Sequence, residues 1–150
     1  MMLIQSLQLL FERDIEKLKT EINAYQEEKN LWIVDKNISN SAGNLALHLV
    51  GNLKTYFGTI LGNTGYERNR PLEFSAKNIN RQEIITAIDE AKLIVITILN
   101  QLTEEQLIAD YPATDTSYGK TSTYHYLIHL SVHLSYHLGQ INYHRRLFDN

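Results

Sequence analysis

The stretch that decides the fold is YHYLIHLSVHLSYHLGQI, residues 124–141 of the 150-residue chain. Its leucines and isoleucines recur at intervals of three and four, the spacing that places apolar side chains on one face of an α-helix. Histidines recur in the same stretch at intervals of four: His125, His129, His133 and His137. The pattern predicts one long helix, about 122–148, that carries both an apolar face and a row of imidazoles.

Three further segments show the same helical spacing. Each has a stripe of apolar residues opposite a polar face, which is typical of an amphipathic helix. Ser41 and Asn80 are good N-cap residues for the second and third of them. Together with one extra turn after the third, the predicted helices are 2–26, 41–62, 80–102 and 103–106.

The segments between the helices indicate how the helices are connected. Between residues 63 and 77 the periodicity disappears and Pro71 forbids a continuous helix, so we expect a long crossover loop. Residues 111–119 are rich in turn-forming types and lead into the last helix. We therefore predict an all-α protein, a four-helix bundle with a long crossover loop, in one domain spanning residues 1–150.

Composition excludes several classes of function. Fourteen Lys and Arg against seventeen Asp and Glu give a net charge of −3, so there is no positive excess to bind nucleic acid. The amino terminus lacks a signal-peptide pattern and the apolar runs are too short to span a membrane, so we expect a cytoplasmic protein. The chain contains no cysteine. His, Asp and Glu are thus the available metal ligands.

The apolar face of the last helix separates the four histidines. At roughly 100° per residue, His133 and His137 lie beside the leucine stripe, whereas His129 and His125 turn progressively toward solvent. His48, on the second helix, borders the stripe of that helix in the same way. An inward imidazole must find a hydrogen-bond partner or a ligand, because leaving it unpaired costs on the order of 1–3 kcal/mol.

Two readings of these inward histidines are open. They are either core histidines that hydrogen-bond to neighbouring side chains or the ligands of a divalent metal ion, and the i, i+4 spacing of His133 and His137 favours the metal. Three histidines would leave one tetrahedral position open, and no inward Asp or Glu is evident near either histidine motif. If His48 lies beside His133 and His137, which sequence alone does not establish, we predict that the three bind a divalent metal, with a water as the fourth ligand.

Three motifs resemble one known family. His133-x3-His137-x-Gly-Gln-Ile, the Leu-x-x-His-Leu-x-Gly-Asn-Leu sequence around His48, and residues 68–74, RNRPLEF, are similar to the DinB/YfiT superfamily of metalloenzymes. The resemblance covers nearly the whole chain. It implies a four-helix bundle in which one histidine from the second helix and two from the last bind a divalent metal. It also implies a homodimer, which the wide apolar stripe on the first helix favours.

The resemblance implies a reaction class less sharply than it implies the metal. Characterised relatives include transferases and isomerases that use low-molecular-weight thiols, and many other members are described as metal-dependent hydrolases. We therefore expect a metal-dependent enzyme with Zn²⁺ or Ni²⁺, acting on a small molecule as a thiol-dependent S-transferase or a hydrolase, with any thiol supplied by a cofactor. The alternative is a non-catalytic, metal-stabilised binding or stress-response protein whose histidines staple helices together.

Several other residues allow two interpretations. Arg68 and Arg70 either bind an anionic substrate or thiol cofactor or pair with neighbouring glutamates to hold the loop. Gln140 either orients a metal ligand or bonds to another helix. For His125, His129 and His144 a position at the surface is expected.

Overall fold

The computed structural model describes residues 2–35, 37–113 and 119–150. Within these ranges the regular elements are helical, which confirms the all-α prediction, and extended backbone pairs only at an isolated bridge between Asp110 and Ser122. Residues 114–118 of the expected turn-rich stretch lie outside the described residues. The α-helices are α1 (Met2–Asn23), α2 (Ala42–Leu53), α3 (Arg70–Ser75), α4 (Arg81–Gln101), α5 (Glu104–Ile108) and α6 (Thr123–Phe148).

The helix starts lie where the sequence places its capping residues. The Ser41 hydroxyl accepts a hydrogen bond from the backbone N–H of Asn44 at 3.2 Å, at the start of α2. The Asn80 side chain caps α4 by accepting a hydrogen bond from the backbone N–H of Gln82 at 2.7 Å. Each cap satisfies an amide that has no partner inside its helix.

The second helix differs in type from the prediction. A single α-helix was expected to residue 62, whereas α2 ends at Leu53 and the chain continues as a π-helical segment, Lys54–Leu61. A π-helix is rare and usually lies within or next to an α-helix, and such segments occur often at functional sites.

The four long helices bury one continuous core. Helix α1 packs against α4 and α6, and α2 packs against the same two helices. Phe11 of α1 meets Phe57 edge to face, with ring centroids 5.0 Å apart. Among the described residues, no helix combines the length and the apolar character that a bilayer crossing requires.

The connection between the π-helical segment and α4 is more ordered than expected. The predicted crossover loop contains the short helix α3, which packs against α2. The Asn69 side chain caps α3 by accepting from the Leu72 amide at 3.2 Å, and Pro71 lies in its first turn. Pro71 thus helps begin a helix here, because a proline in the first turn removes an amide that would lack an intrahelical partner anyway.

Candidate metal centre

The structure brings three histidines from two helices together. His48 lies on α2, His133 and His137 lie on α6, and one ring nitrogen from each falls within 4.8 Å of the others. His48 is 6% exposed, and the other two are partly buried. The Nε2 atoms of His48 and His133 are 3.2 Å apart. The cluster is thus made by contact between α2 and α6.

Contacts at two levels show how α2 and α6 align. His48 contacts His133, and in the π-helical segment that continues α2 the ring of Tyr56 lies 5.4 Å from that of Tyr126, which precedes His133 on α6. The two helices therefore run antiparallel. The stretch between His48 of α2 and Tyr56 of the π-helical segment lies level with the part of α6 between Tyr126 and His133.

A buried carboxylate holds the ring of His48. Glu73 of α3 is 7% exposed, and its Oε1 lies 3.1 Å from His48 Nδ1. A carboxylate only accepts hydrogen bonds, so His48 donates to Glu73 when Nδ1 carries the proton. Arg68 Nη2, which only donates, also lies 3.2 Å from this Nδ1. With the proton on Nδ1, the Nε2 lone pair of His48 points toward His133.

Arg68 completes this arrangement from the crossover. Its Nε and Nη2 donate to the two oxygens of Glu73, both at 2.8 Å, in a bidentate pair. Burial would raise the pKa of Glu73, but the hydrogen bonds from His48 and Arg68 outweigh it and leave this pKa below its usual value. Glu73 is therefore an anion that orients His48.

Gly51 makes room for this carboxylate. A Cβ atom at Gly51 would overlap Glu73 Oε2 and lie 2.7 Å from the carboxyl carbon. A side chain at this position of α2 would displace the Glu73 carboxylate that contacts His48. The glycine one turn along from His48 is thus a requirement of the site.

An amide orients the second histidine of the cluster. His137 Nδ1 lies 2.6 Å from the Oε1 atom of Gln140, one turn further along α6. Since the amide oxygen accepts, Nδ1 carries the proton and Nε2 keeps its lone pair. Burial lowers the pKa of His137, which keeps its ring neutral at pH 7.

His133 lacks such a partner. Its Nδ1 is buried and has no hydrogen bond. Burial, followed by the neighbouring His137 and His48, lowers the pKa of His133 to about 3. This imidazole is therefore neutral across the physiological pH range.

A cleft of about 490 Å³ opens onto the histidines. Arg68 and Arg70 both line it, at the side formed by α3 and the crossover. Arg70 is exposed and its guanidinium lies 5.2 Å from the centroid of the Phe74 ring. The remaining lining residues are Asn40, His48, Asn52, Tyr56, Phe74, Tyr126, His129, His133 and His137.

Two expectations about the surroundings of the histidines need correction. An inward carboxylate was not expected near the histidines, yet Glu73 contacts His48. The signal that could have found Glu73 is the Asn-x-Pro helix start just before it. His129 was expected to turn toward solvent, but it is half-buried and lines the cleft. His125, in contrast, is exposed as predicted.

His144 was expected at the surface and is instead buried. Its Nδ1 lies 2.7 Å from the Tyr25 hydroxyl, and its Nε2 donates to the Ile33 carbonyl oxygen at 2.8 Å. The chain after α1 covers this end of α6, and that contact is invisible in the helical periodicity. His144 is therefore a satisfied core histidine outside the cluster.

Residues 3–150 match a family described as "Protein of unknown function (DUF1572)". The match covers nearly the whole chain, so the protein belongs to this family. No curated protein matches the chain.

Proposed function

We propose that His48, His133 and His137 bind one divalent metal ion, Zn²⁺ or Ni²⁺, and that the protein is a metal-dependent enzyme built as a DinB-like four-helix bundle. The observation that carries the proposal is the 3.2 Å separation of the His48 and His133 Nε2 atoms. Two nitrogens bound at about 2.0–2.1 Å to a tetrahedral zinc ion lie about 3.3–3.4 Å apart. The two imidazoles are therefore already spaced as ligands of one ion.

The donor chemistry of the cluster supports the same proposal. A histidine binds metal through a neutral ring, and the lowered pKa values of His133 and His137 keep these rings neutral at pH 7. Oxygens of Glu73 and Gln140 face the Nδ1 atoms of His48 and His137, and with the proton on Nδ1 the Nε2 lone pair of each ring is available to a metal. Oxygen partners of this kind orient metal-bound histidines in many proteins.

The cleft supports a catalytic role over a purely structural one. The cluster contributes three ligands, and the cleft of about 490 Å³ gives a small molecule access to it. A bound divalent ion would supply Lewis acidity, which lowers the pKa of a coordinated water or thiol toward neutrality. We propose a thiol-dependent S-transferase or a hydrolase of small molecules, with any thiol supplied by a cofactor because the chain has no cysteine.

The two arginines have different parts in this proposal. Arg68 is held by both oxygens of Glu73, so its first role is to fix the carboxylate that orients His48. Arg70 is exposed in the cleft wall, stacked near Phe74. We propose that Arg70 contacts an anionic group of the substrate or thiol cofactor, while Arg68 adds positive charge nearby.

The test is metal content and affinity of the untagged protein. We expect one Zn²⁺ or Ni²⁺ per chain by elemental analysis, and loss of this ion in His133→Ala and His137→Ala. His125→Ala is the matched control, because His125 is exposed on the same helix and should leave the metal content unchanged. Equal metal content in all three variants would refute the ligand assignment.

A second measurement distinguishes a catalytic metal site from a structural one that only holds the helices together. In Co²⁺-loaded protein, a small thiol or anion should shift the visible spectrum, and Arg70→Gln should weaken that binding. A spectrum that responds to no exogenous ligand would refute the open site and favour the staple.

A further inference from the structure

Two buried polar atoms in the cleft region lack hydrogen-bond partners. One is the Oδ1 atom of Asn52, a residue only 7% exposed, and the other is His133 Nδ1. Both residues line the cleft. A buried acceptor left unpaired costs on the order of 1–3 kcal/mol, so a fold that keeps one beside an unpaired ring nitrogen calls for a physical reason.

The helix register places these two residues near one another. Asn52 follows His48 by one turn of α2, between the level of the His48–His133 contact and the level of the Tyr56–Tyr126 contact. Side chains on a helix lean toward its amino terminus. Because α2 and α6 are antiparallel, Asn52 leans toward the level of His48 and His133 leans toward the level of Asn52.

The other two histidines of the cluster show what is missing. His48 Nδ1 faces a carboxylate oxygen of Glu73, and His137 Nδ1 faces the amide oxygen of Gln140. His133 alone among the three has no oxygen opposite its Nδ1. The unpaired oxygen of Asn52 is of the type required.

We propose that Asn52 is the positioning residue of His133: its Oδ1 accepts a hydrogen bond from His133 Nδ1 when His133 Nε2 binds the metal. The inference rests on the proposed metal site. It gives each ligand its own oxygen partner from a different part of the chain: Glu73 from α3, Gln140 from α6 and Asn52 from α2. It also assigns a role to the asparagine of the Gly-Asn pair that follows His48 in the sequence motif.

The test compares Zn²⁺ affinity in the full-length protein with Asn52→Leu and Asn52→Asp. Leucine has the same branched side-chain skeleton but no acceptor, so Zn²⁺ should bind about 10–100-fold more weakly, the usual effect of losing such a partner. Aspartate restores an acceptor oxygen and should recover most of the affinity. Asn100→Leu, an exposed change on α4 far along the chain from the site, controls for the substitution itself.

Two readouts separate positioning from a general effect on the fold. The metal-free Asn52→Leu protein should melt no lower than wild type, since it loses a buried unpaired oxygen, while its stabilisation by Zn²⁺ should shrink. In nitrogen-15 spectra of the histidine rings, the Nδ1–H signal of Zn²⁺-loaded His133 should change in Asn52→Leu, with those of His48 and His137 preserved.

The possible outcomes are distinct. Wild-type protein that binds no divalent ion would refute the proposed function. Wild type that binds Zn²⁺ while Asn52→Leu binds it equally well would leave the metal site standing and overturn the role of Asn52. A ring-signal change at His129 in place of His133 would overturn it too, because His129 lines the same cleft.

Discussion

Replacing Gly51 by alanine should damage the metal centre without touching a metal ligand. The added methyl group would overlap Glu73 Oε2 and lie 2.7 Å from the carboxyl carbon of Glu73. Nonbonded carbon atoms pack at about 3.5 Å, so the carboxylate must retreat by about 0.8 Å. If the carboxylate moves this distance directly away from Arg68, a 2.8 Å hydrogen bond between them lengthens to about 3.6 Å, which is beyond hydrogen-bonding range.

The expected energies follow from these distances. Losing a hydrogen bond to a charged group costs about 1.5–3 kcal/mol, and alanine in a helix interior recovers about 1 kcal/mol relative to glycine. We therefore expect Gly51→Ala to lower the free energy of unfolding of the metal-free protein by about 0.5–2 kcal/mol. Because His48 loses its orienting carboxylate, Zn²⁺ affinity should fall about 10-fold or more.

Gly139→Ala provides the matched control for this prediction. Gly139 lies on α6 between His137 and Gln140, and a Cβ there would meet nothing within 4 Å. It should therefore stabilise the protein by about 0.5–1 kcal/mol and leave Zn²⁺ binding unchanged. Urea unfolding followed by circular dichroism, with a competitive zinc titration, measures both quantities. If Gly51→Ala behaves like Gly139→Ala in both assays, the predicted clash between a side chain at position 51 and the Glu73 carboxylate is wrong.

Two further predictions concern the stability of the folded protein. Burial lowers the pKa of His133 to about 3, so below pH 6.5 the unfolded state binds more protons than the folded state. The metal-free protein should therefore lose stability as pH falls, and His133 alone should contribute about 2 kcal/mol of this loss between pH 7.5 and 5. The loss is measured as a shift in the urea midpoint, and His133→Gln should reduce that shift. Asp149 accepts from the Gln26 amide at 2.6 Å and from Asn30 Nδ2 at 2.9 Å, so Asp149→Ala should cost about 1–3 kcal/mol; an unchanged thermal midpoint would contradict this.

The sequence determined what depends on near neighbours along the chain. Helical periodicity predicted the long helices, and short polar side chains predicted the starts of α2 and α4, because these features depend on residues within one or two turns. The i, i+4 spacing of His133 and His137 on one helix face is of the same kind. The sequence also offered pairing of Arg68 with a nearby glutamate as one of two interpretations, and the structure shows the pair with Glu73.

The tertiary structure decided everything that joins separate helices. Nothing in the periodicity of α2 fixes its register against α6, so the 3.2 Å approach of His48 to His133 exists only after the helices pack. The carboxylate of Glu73 reaches His48 because a short helix forms in the crossover and because Gly51 leaves space for it. Homodimerisation stays a prediction, since it depends on a second copy of the chain. Local spacing chooses the face of a helix on which a residue lies, whereas the packing of distant segments decides what that residue meets.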